Sequence, residues 1–281
     1  MSEVIDIHPH ILSADRAAYP LAPVGGTVSG WASTRPVTAE QLLSEMDTVG
    51  IAKAALVQAS TAYGYDNRYV VDTARRFPDR FAAVCCVDPL AADAAKTVAE
   101  WAGDPQIAGI RLFTTGSTMP GQAGWLNDEA TFPFWSAAQD AGVPVCVQMR
   151  LTGSDQLVDV LERFPSATVV LDHMAYPSIG PGTERAAFDE LAGLATYPRL
   201  FLKMTMRNTV PLVASDAHLF LDPLLHAFGA ERIAWGSNFP AAEQSLGDLL
   251  ALATDALAGI SAEDRRTILG TTARRLYPAL G

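Results

Sequence analysis

A single-domain (β/α)8 barrel is the fold class that this sequence predicts. Two observations carry that prediction. Short β-rich apolar runs recur eight times with helical segments between them, and no Pro- or Ser-rich linker divides the chain. The 281 residues suit one such unit, which routinely occupies about 250. With 49% hydrophobic and only 18% charged residues, the chain can bury a sizeable core.

The predicted strands, in order, are VIDIH (4–8), AALVQ (54–58), FAAVCCV (81–87), AGIRLF (108–113), VPVCVQ (143–148), TVVLDH (168–173), LFLKMT (200–205) and RIAWGS (232–237). Each is almost continuously apolar, as strands covered on both faces are. Between them, TAEQLLSEMDTVG (38–50) carries apolar residues on one helical face, starts at a capping Thr38 and stops at Gly50. GSDQLVDVLERFP (153–165) repeats the design and closes at a proline. ASDAHLFLDPLLHAFG reads as the helix before the last strand, so His218 and His226 are expected on an outer layer, in structural roles. Residues 11–37 hold Pro20, Pro23 and Pro36 without periodicity, which predicts a long loop after the first strand. That loop, with shorter ones at 119–128 and 174–184, falls on the face where barrels build active sites and is expected to cover a pocket.

Lys and Arg number 20 against 31 Asp and Glu, and the net charge of −11 disfavours nucleic acid and anionic membrane as partners. A small molecule is expected instead. The N-terminus lacks the basic start and apolar core of a signal peptide, and no apolar run approaches the roughly 18 residues that span a bilayer, so the expected location is the cytoplasm. Cys85, Cys86 and Cys146 have no metal-finger spacing and are expected as buried free thiols.

The C-terminal end of every predicted strand supplies a polar group: His8 and His10, Gln58, Asp88, Arg111, Gln148 with Arg150, His173, Lys203 with Thr205, and Ser237 with Asn238. One histidine at a strand end is more often structural than functional. Three together are different, because residues two apart in a strand share a face and neutral imidazoles bind zinc, manganese or iron. His8, His10 and His173 are therefore a candidate metal set, unless Pro9 breaks the strand and leaves His10 in the loop. Asp6 is expected to fix a histidine tautomer from behind, and Asp172, of opposite parity to His173, to make structural hydrogen bonds.

An N-terminal D-x-H-x-H followed in order by GYDNRYVVDTARRFPDRFAAVCCVDP, GIRL, FPSATVVLDHMAYP, LFLKMT and ERIAWGSNFP resembles the amidohydrolase superfamily. Within its amidohydrolase-related group, the likeness is nearest to the 2-pyrone-4,6-dicarboxylate lactonase-like hydrolases, and it runs from Asp6 to the terminal TTARRLYP. The resemblance implies a distorted (β/α)8 TIM barrel. It also implies that His8, His10, His173 and the residue at 238 line the catalytic site. In metal-dependent relatives these positions and a fifth-strand histidine hold divalent ions, while an eighth-strand aspartate takes the proton of the attacking water.

Two positions depart from that pattern. Gln148 stands for the fifth-strand histidine, and an amide is a weak ligand better suited to a substrate carbonyl. Asn238 stands for the acid and cannot serve as general base. The base then falls to His8, His10 or His173, which ordinarily titrate in the right range, or to Glu243. A divalent ion, zinc or manganese, is expected to be weakly held or absent, with the histidines polarising the substrate carbonyl directly.

The resemblance implies that Arg111 and Arg207 clamp a substrate carboxylate, which suits the forked geometry of guanidinium. Arg111 or Lys203 neutralising an internal carboxylate is the alternative. Gln148, Tyr65 and Asn67 are further candidate substrate contacts, and Tyr63, Trp31 and Trp125 candidates for an aromatic wall. The expected activity is hydrolysis of a small carboxylated lactone or related cyclic ester or amide. The alternatives are a metal-dependent decarboxylase of an aromatic or conjugated acid, and a catalytically impaired barrel partnering a complete paralogue. A homo-oligomer is also compatible with this reading.

Overall fold

Eight parallel strands hydrogen-bond to one another in sequence order: β1 (Val4–Asp6), β2 (Ile51–Val57), β3 (Phe81–Cys86), β4 (Ile107–Phe113), β5 (Val145–Gln148), β6 (Val169–Leu171), β7 (Leu200–Met204) and β8 (Ile233–Trp235). The structure, a computed structural model, describes residues 3–116 and 121–281. Helices follow every strand, and the sheet curls into a nearly closed (β/α)8 barrel. None of the described helices is long and apolar enough to cross a membrane.

Strand parity separates two apolar layers. Leu56, Leu112, Val147, Leu171, Leu202 and Trp235 point outward against the helices. Ile5, Ile7, Val57, Val84, Cys146 and Val170 point inward and pack on Tyr277 and Leu280 of the C-terminal segment, which plugs the barrel from below. The inward positions change character towards the C-terminal ends of the strands. Two residues beyond Cys146 and Val170 come Gln148 and Asp172, and Lys203 follows Phe201. The apolar floor therefore gives way to a polar upper layer. The three cysteines are buried free thiols, and burial pushes Cys86 up to about 12.

The barrel closes where β8 meets β1. Ile7 N–H donates to Trp235 O at 3.2 Å and Asn238 N–H to His8 O at 3.0 Å. One carboxylate oxygen of Asp6 accepts from both His8 N–H, at 2.9 Å, and Ser237 N–H, at 2.8 Å. Asp6 thus ties backbone to backbone across the closure and does not hold a histidine ring, contrary to the expectation for it.

Local sequence accounts for the helices that matter here. Thr38 and Gln41 form the capping box of helix Ala39–Val49, which ends at Gly50 with φ 78°. The segment 11–37 is largely irregular but includes a short helix, Gly30–Thr34, that its sequence did not suggest. Of the loop expected at 119–128, residues 119 and 120 lie outside the described residues. His218 and His226 sit on helix Ala217–Phe228, away from the barrel mouth, as anticipated.

Gly236 follows β8 at the closure, where an added Cβ would lie 2.6 Å from His8 Cβ and 2.9 Å from His8 N. Neither atom belongs to a flexible side-chain end. Gly236→Ala is expected to destabilise the fold by about 1–3 kcal/mol, read as a lower midpoint in denaturant with an unchanged slope.

Candidate active site

At the C-terminal ends of the strands lies a cavity of about 390 Å³, the scale of a small-molecule site. Three guanidinium groups (Arg111, Arg150, Arg207), two imidazoles (His10, His173) and two amides (Gln148, Asn238) line it, with Trp31, Phe113 and Tyr176 as its aromatic surface. Among the described residues, no Asp or Glu does. The short helix in the first loop supplies Trp31, whose ring stacks on His10 at 5.3 Å between centroids.

Beneath the cavity floor, Asp172 is fully buried and faces three basic side chains. Arg111 Nε donates to one carboxylate oxygen at 2.7 Å, while Lys203 Nζ lies 2.8 Å and His8 Nδ1 3.5 Å from the other. Burial alone would raise this carboxyl, but Lys203, His8 and Arg111 together hold it well below the usual carboxylate range. Arg111 continues the network upward: Nη2 donates to Gln148 Oε1 at 2.6 Å, and Gln148 Nε2 donates to Tyr176 Oη at 2.8 Å. Guanidinium can only donate, which settles the orientation of the Gln148 amide.

His8, His10 and His173 are neutral across the physiological range. Burial first, then the Arg111 charge, lowers His10 to about 4. Burial lowers His173 to about 3 although Asp172 opposes it, and His8 falls well below its ordinary value through burial and Lys203. None therefore titrates near neutrality, which corrects the expectation for these groups. A neutral imidazole still accepts or donates a proton, depending on its tautomer.

His173 reaches the cavity by an unusual route. β6 ends at Leu171, earlier than its sequence suggests, and Asp172 keeps the inward strand position. His173, Met174, Ala175 and Tyr176 then adopt left-handed conformations, with φ 57°, 52°, 57° and 60°. For residues with a Cβ each costs of order 1 kcal/mol. The chain after β7 helps to hold the turn: Asn208 Nδ2 donates to His173 O at 3.0 Å, and Thr205 Oγ1 lies 2.7 Å from His173 Nδ1. Asn238, at φ 61°, is the other strained residue on the wall.

The amidohydrolase family model matches residues 5–279. The chain belongs to the amidohydrolase family. An L-fucono-1,5-lactonase from Burkholderia ambifaria is 30% identical over 197 residues, covering 68% of this chain and 66% of that one, so the match spans just under two thirds of the lactonase. Among solved structures, a Pseudomonas putida protein described as a 2-pyrone-4,6-dicarboxylic acid hydrolase has a TM-score of 0.78 at 24% identity, over 99% of this chain and 98% of its own. A zinc-bound amidohydrolase from Burkholderia multivorans has a TM-score of 0.76 at 23% identity, over 98% and 99%. At these identities the structural likenesses establish the fold alone.

Within this amidohydrolase barrel, His10, His173, Asn238, Arg111, Gln148 and Arg207 meet around one cavity. Trp31 joins them as the aromatic wall expected of it, and the following candidates do not. His8 lies fully buried below, beside Asp172. Asn67 is committed to backbone, donating to Cys86 O and accepting from Cys86 N–H, both at 2.8 Å. Tyr65 is 42% exposed and stacks on Phe113. Tyr63 accepts from Ser13 N–H, Trp125 packs on the core, and Glu243 is exposed beyond the cavity. Asp172 makes the structural bonds expected of it, and both Arg111 and Lys203 neutralise it. Arg150, one of the expected strand-end polar groups, joins the cavity residues at the rim, and Tyr176, which the sequence did not suggest, follows His173 by one left-handed turn.

This donor set fits a resident divalent ion poorly. Two features favour an ion: both ring nitrogens of buried His8 and Oδ2 of buried Asp6 lack a hydrogen-bond partner. The charges oppose it, because Lys203 and Arg111 already neutralise Asp172 and would repel another cation across a low-dielectric interior. Gln148 and Asn238 add only weak amide donors. Among the described residues, no three His, Cys, Asp or Glu side chains converge as a ligand set.

Two outcomes follow from this site. Elemental analysis of untagged protein should find well under one zinc or manganese per chain, and chelator dialysis should leave the melting temperature unchanged; a stoichiometric ion whose removal lowers it would contradict the donor-set argument. The second outcome concerns pH. Unfolded imidazole takes up a proton near 6.5, but folded His10 and His173 do so only near about 4 and 3, so between these values the unfolded state binds more protons. Stability should therefore be full above about pH 7 and fall as pH drops towards about 4.5, and His10→Gln should make that slope shallower.

Proposed function

We propose that this amidohydrolase hydrolyses a small carboxylated lactone or a related cyclic ester. The observation that carries the reading is the composition of the cavity wall: three guanidinium groups and two neutral imidazoles, with no acid beside them among the described residues. Such a wall recruits an anion and presents uncharged proton-transfer groups to it. The L-fucono-1,5-lactonase relative supports a ring-opening hydrolysis.

Arg207, at the start of helix Met206–Val213, and Arg150, after β5, are exposed at the rim and suit the substrate carboxylate. Arg111 has two nitrogens committed to Asp172 and Gln148, so it contributes fixed positive charge more than an open fork. The ester carbonyl then faces His10 and His173, whose imidazoles activate the carbonyl or the attacking water, and Asn238 orients one of them. Trp31 and the first loop shield that end from bulk water. Ring opening yields a hydroxy acid that ionises, so turnover releases protons near neutrality.

A second reading is favoured by Asn238, which leaves the eighth-strand position without a base for water. Decarboxylation of a conjugated acid needs no activated water. Carbon dioxide release without net hydration would mark it.

Assay of a panel of carboxylated lactones by proton release should find a substrate. On it, His173→Ala should lower kcat/KM by about 10²–10³-fold, the usual effect of losing one donor to a developing oxyanion. Arg207→Met should act mainly on KM, and His218→Ala should be silent. An unchanged rate in His173→Ala would sink the proposal.

A further inference from the structure

We infer that Thr205 is a positioning residue that makes His173 the proton donor of the cavity, while the Val57 carbonyl makes His10 its proton acceptor. The two histidines look equivalent by sequence and by burial. Their outer hydrogen bonds separate them.

His10 Nδ1 lies 2.8 Å from the carbonyl oxygen of Val57, at the end of β2. A carbonyl only accepts, so the single proton of the neutral ring sits on Nδ1 and Nε2 turns a lone pair to the cavity. His173 Nδ1 lies 2.7 Å from Thr205 Oγ1, and a hydroxyl could in principle act either way. Thr205, however, is the N-cap of helix Met206–Val213. Its Oγ1 already accepts from Arg207 N–H at 3.3 Å and belongs to a capping box in which Asn208 Oδ1 accepts from Thr205 N–H at 3.0 Å. Thr205 is fully buried. Among the described residues, His173 Nδ1 is the one group bonded to Oγ1 that can accept its proton. The hydroxyl therefore donates to Nδ1, and the proton of neutral His173 moves to Nε2, the nitrogen left to the cavity.

The helix start thus dictates a tautomer 32 residues away in sequence. The consequence for chemistry rests on the hydrolase reading. Water oxygen attacks the carbonyl carbon as its proton passes to His10 Nε2. The carbonyl electron pair moves onto oxygen, where His173 Nε2–H donates to it. Collapse reforms the carbonyl and breaks the ring C–O bond, and the departing alkoxide takes the proton from His10. Lactone and water become hydroxy acid, with both rings restored.

The test is two-bond ¹H–¹⁵N correlation spectroscopy of the full chain with labelled histidine near pH 7. Five histidines keep the spectrum assignable through His10→Gln and His173→Gln. The expected result is the Nδ1–H pattern for His10 and the Nε2–H pattern for His173, the latter kept in Thr205→Ser and lost in Thr205→Val while His10 stays unchanged. His173 as Nδ1–H, or His10 as Nε2–H, overturns the inference; should the valine variant fail to fold, the wild-type and serine spectra decide alone. On a hydrolysed lactone, Thr205→Val should lower kcat at least tenfold with KM within threefold, and serine should restore it. If these tautomers are found but no lactone is opened, the hydrolase reading fails and the assignment stands. If lactones are opened with the tautomers reversed, the assignment fails alone.

Discussion

The ion cluster around Asp172 is the constraint on which the rest of the site depends. A carboxylate with no solvent exposure persists only if its charge is matched, and Lys203 and Arg111 match it from two strands, with neutral His8 beside it at 3.5 Å. Removing one partner would leave an uncompensated buried charge, a loss of about 3–5 kcal/mol in comparable cases. The cluster also shapes the cavity above it. It turns the Arg111 fork inward, fixes the Gln148 amide through that fork, and adds positive charge that reinforces the burial by which His10 and His173 stay uncharged.

Much of this was legible in the sequence. Strands buried on both faces must be apolar at consecutive positions, which is why all eight were placed to within a few residues. The polar residues at their C-terminal ends were readable for the same reason, since inward positions there have no apolar partner to meet. What escaped depended on partners distant in the chain. Asp172 looked ordinary until Arg111 and Lys203 met it. Asn67 looked like a substrate contact because nothing local reveals that the Cys86 backbone occupies its amide. The turn carrying His173 and Tyr176 was hidden because left-handed residues are usually announced by glycine, and here four other residues adopt them under tertiary control.

Family membership explains the framework, and two amides tie the cavity wall to its surroundings. Gln148 is engaged on both sides, by Arg111 and Tyr176, so it acts as a spacer that aligns a basic and a phenolic group. Asn238 follows the β8–β1 closure with its backbone N–H on His8 O, which ties the wall of the cavity to the strand bearing the paired histidines. Neither amide carries a charge, so Arg111, Arg150 and Arg207 leave the cavity wall electropositive.

The closure between β1 and β8 bears on how the protein is made. Asp6 meets Ser237 across 231 residues of chain, so the first strand of the barrel is also the last to gain its second neighbour. Until β8 is synthesised, β1 has β2 on one side and an open edge on the other, with the histidine segment unsupported at its end. A chain arrested before residue 233 would carry seven strands and most of the cavity wall, yet leave the open edge of β1 free to pair with another nascent chain.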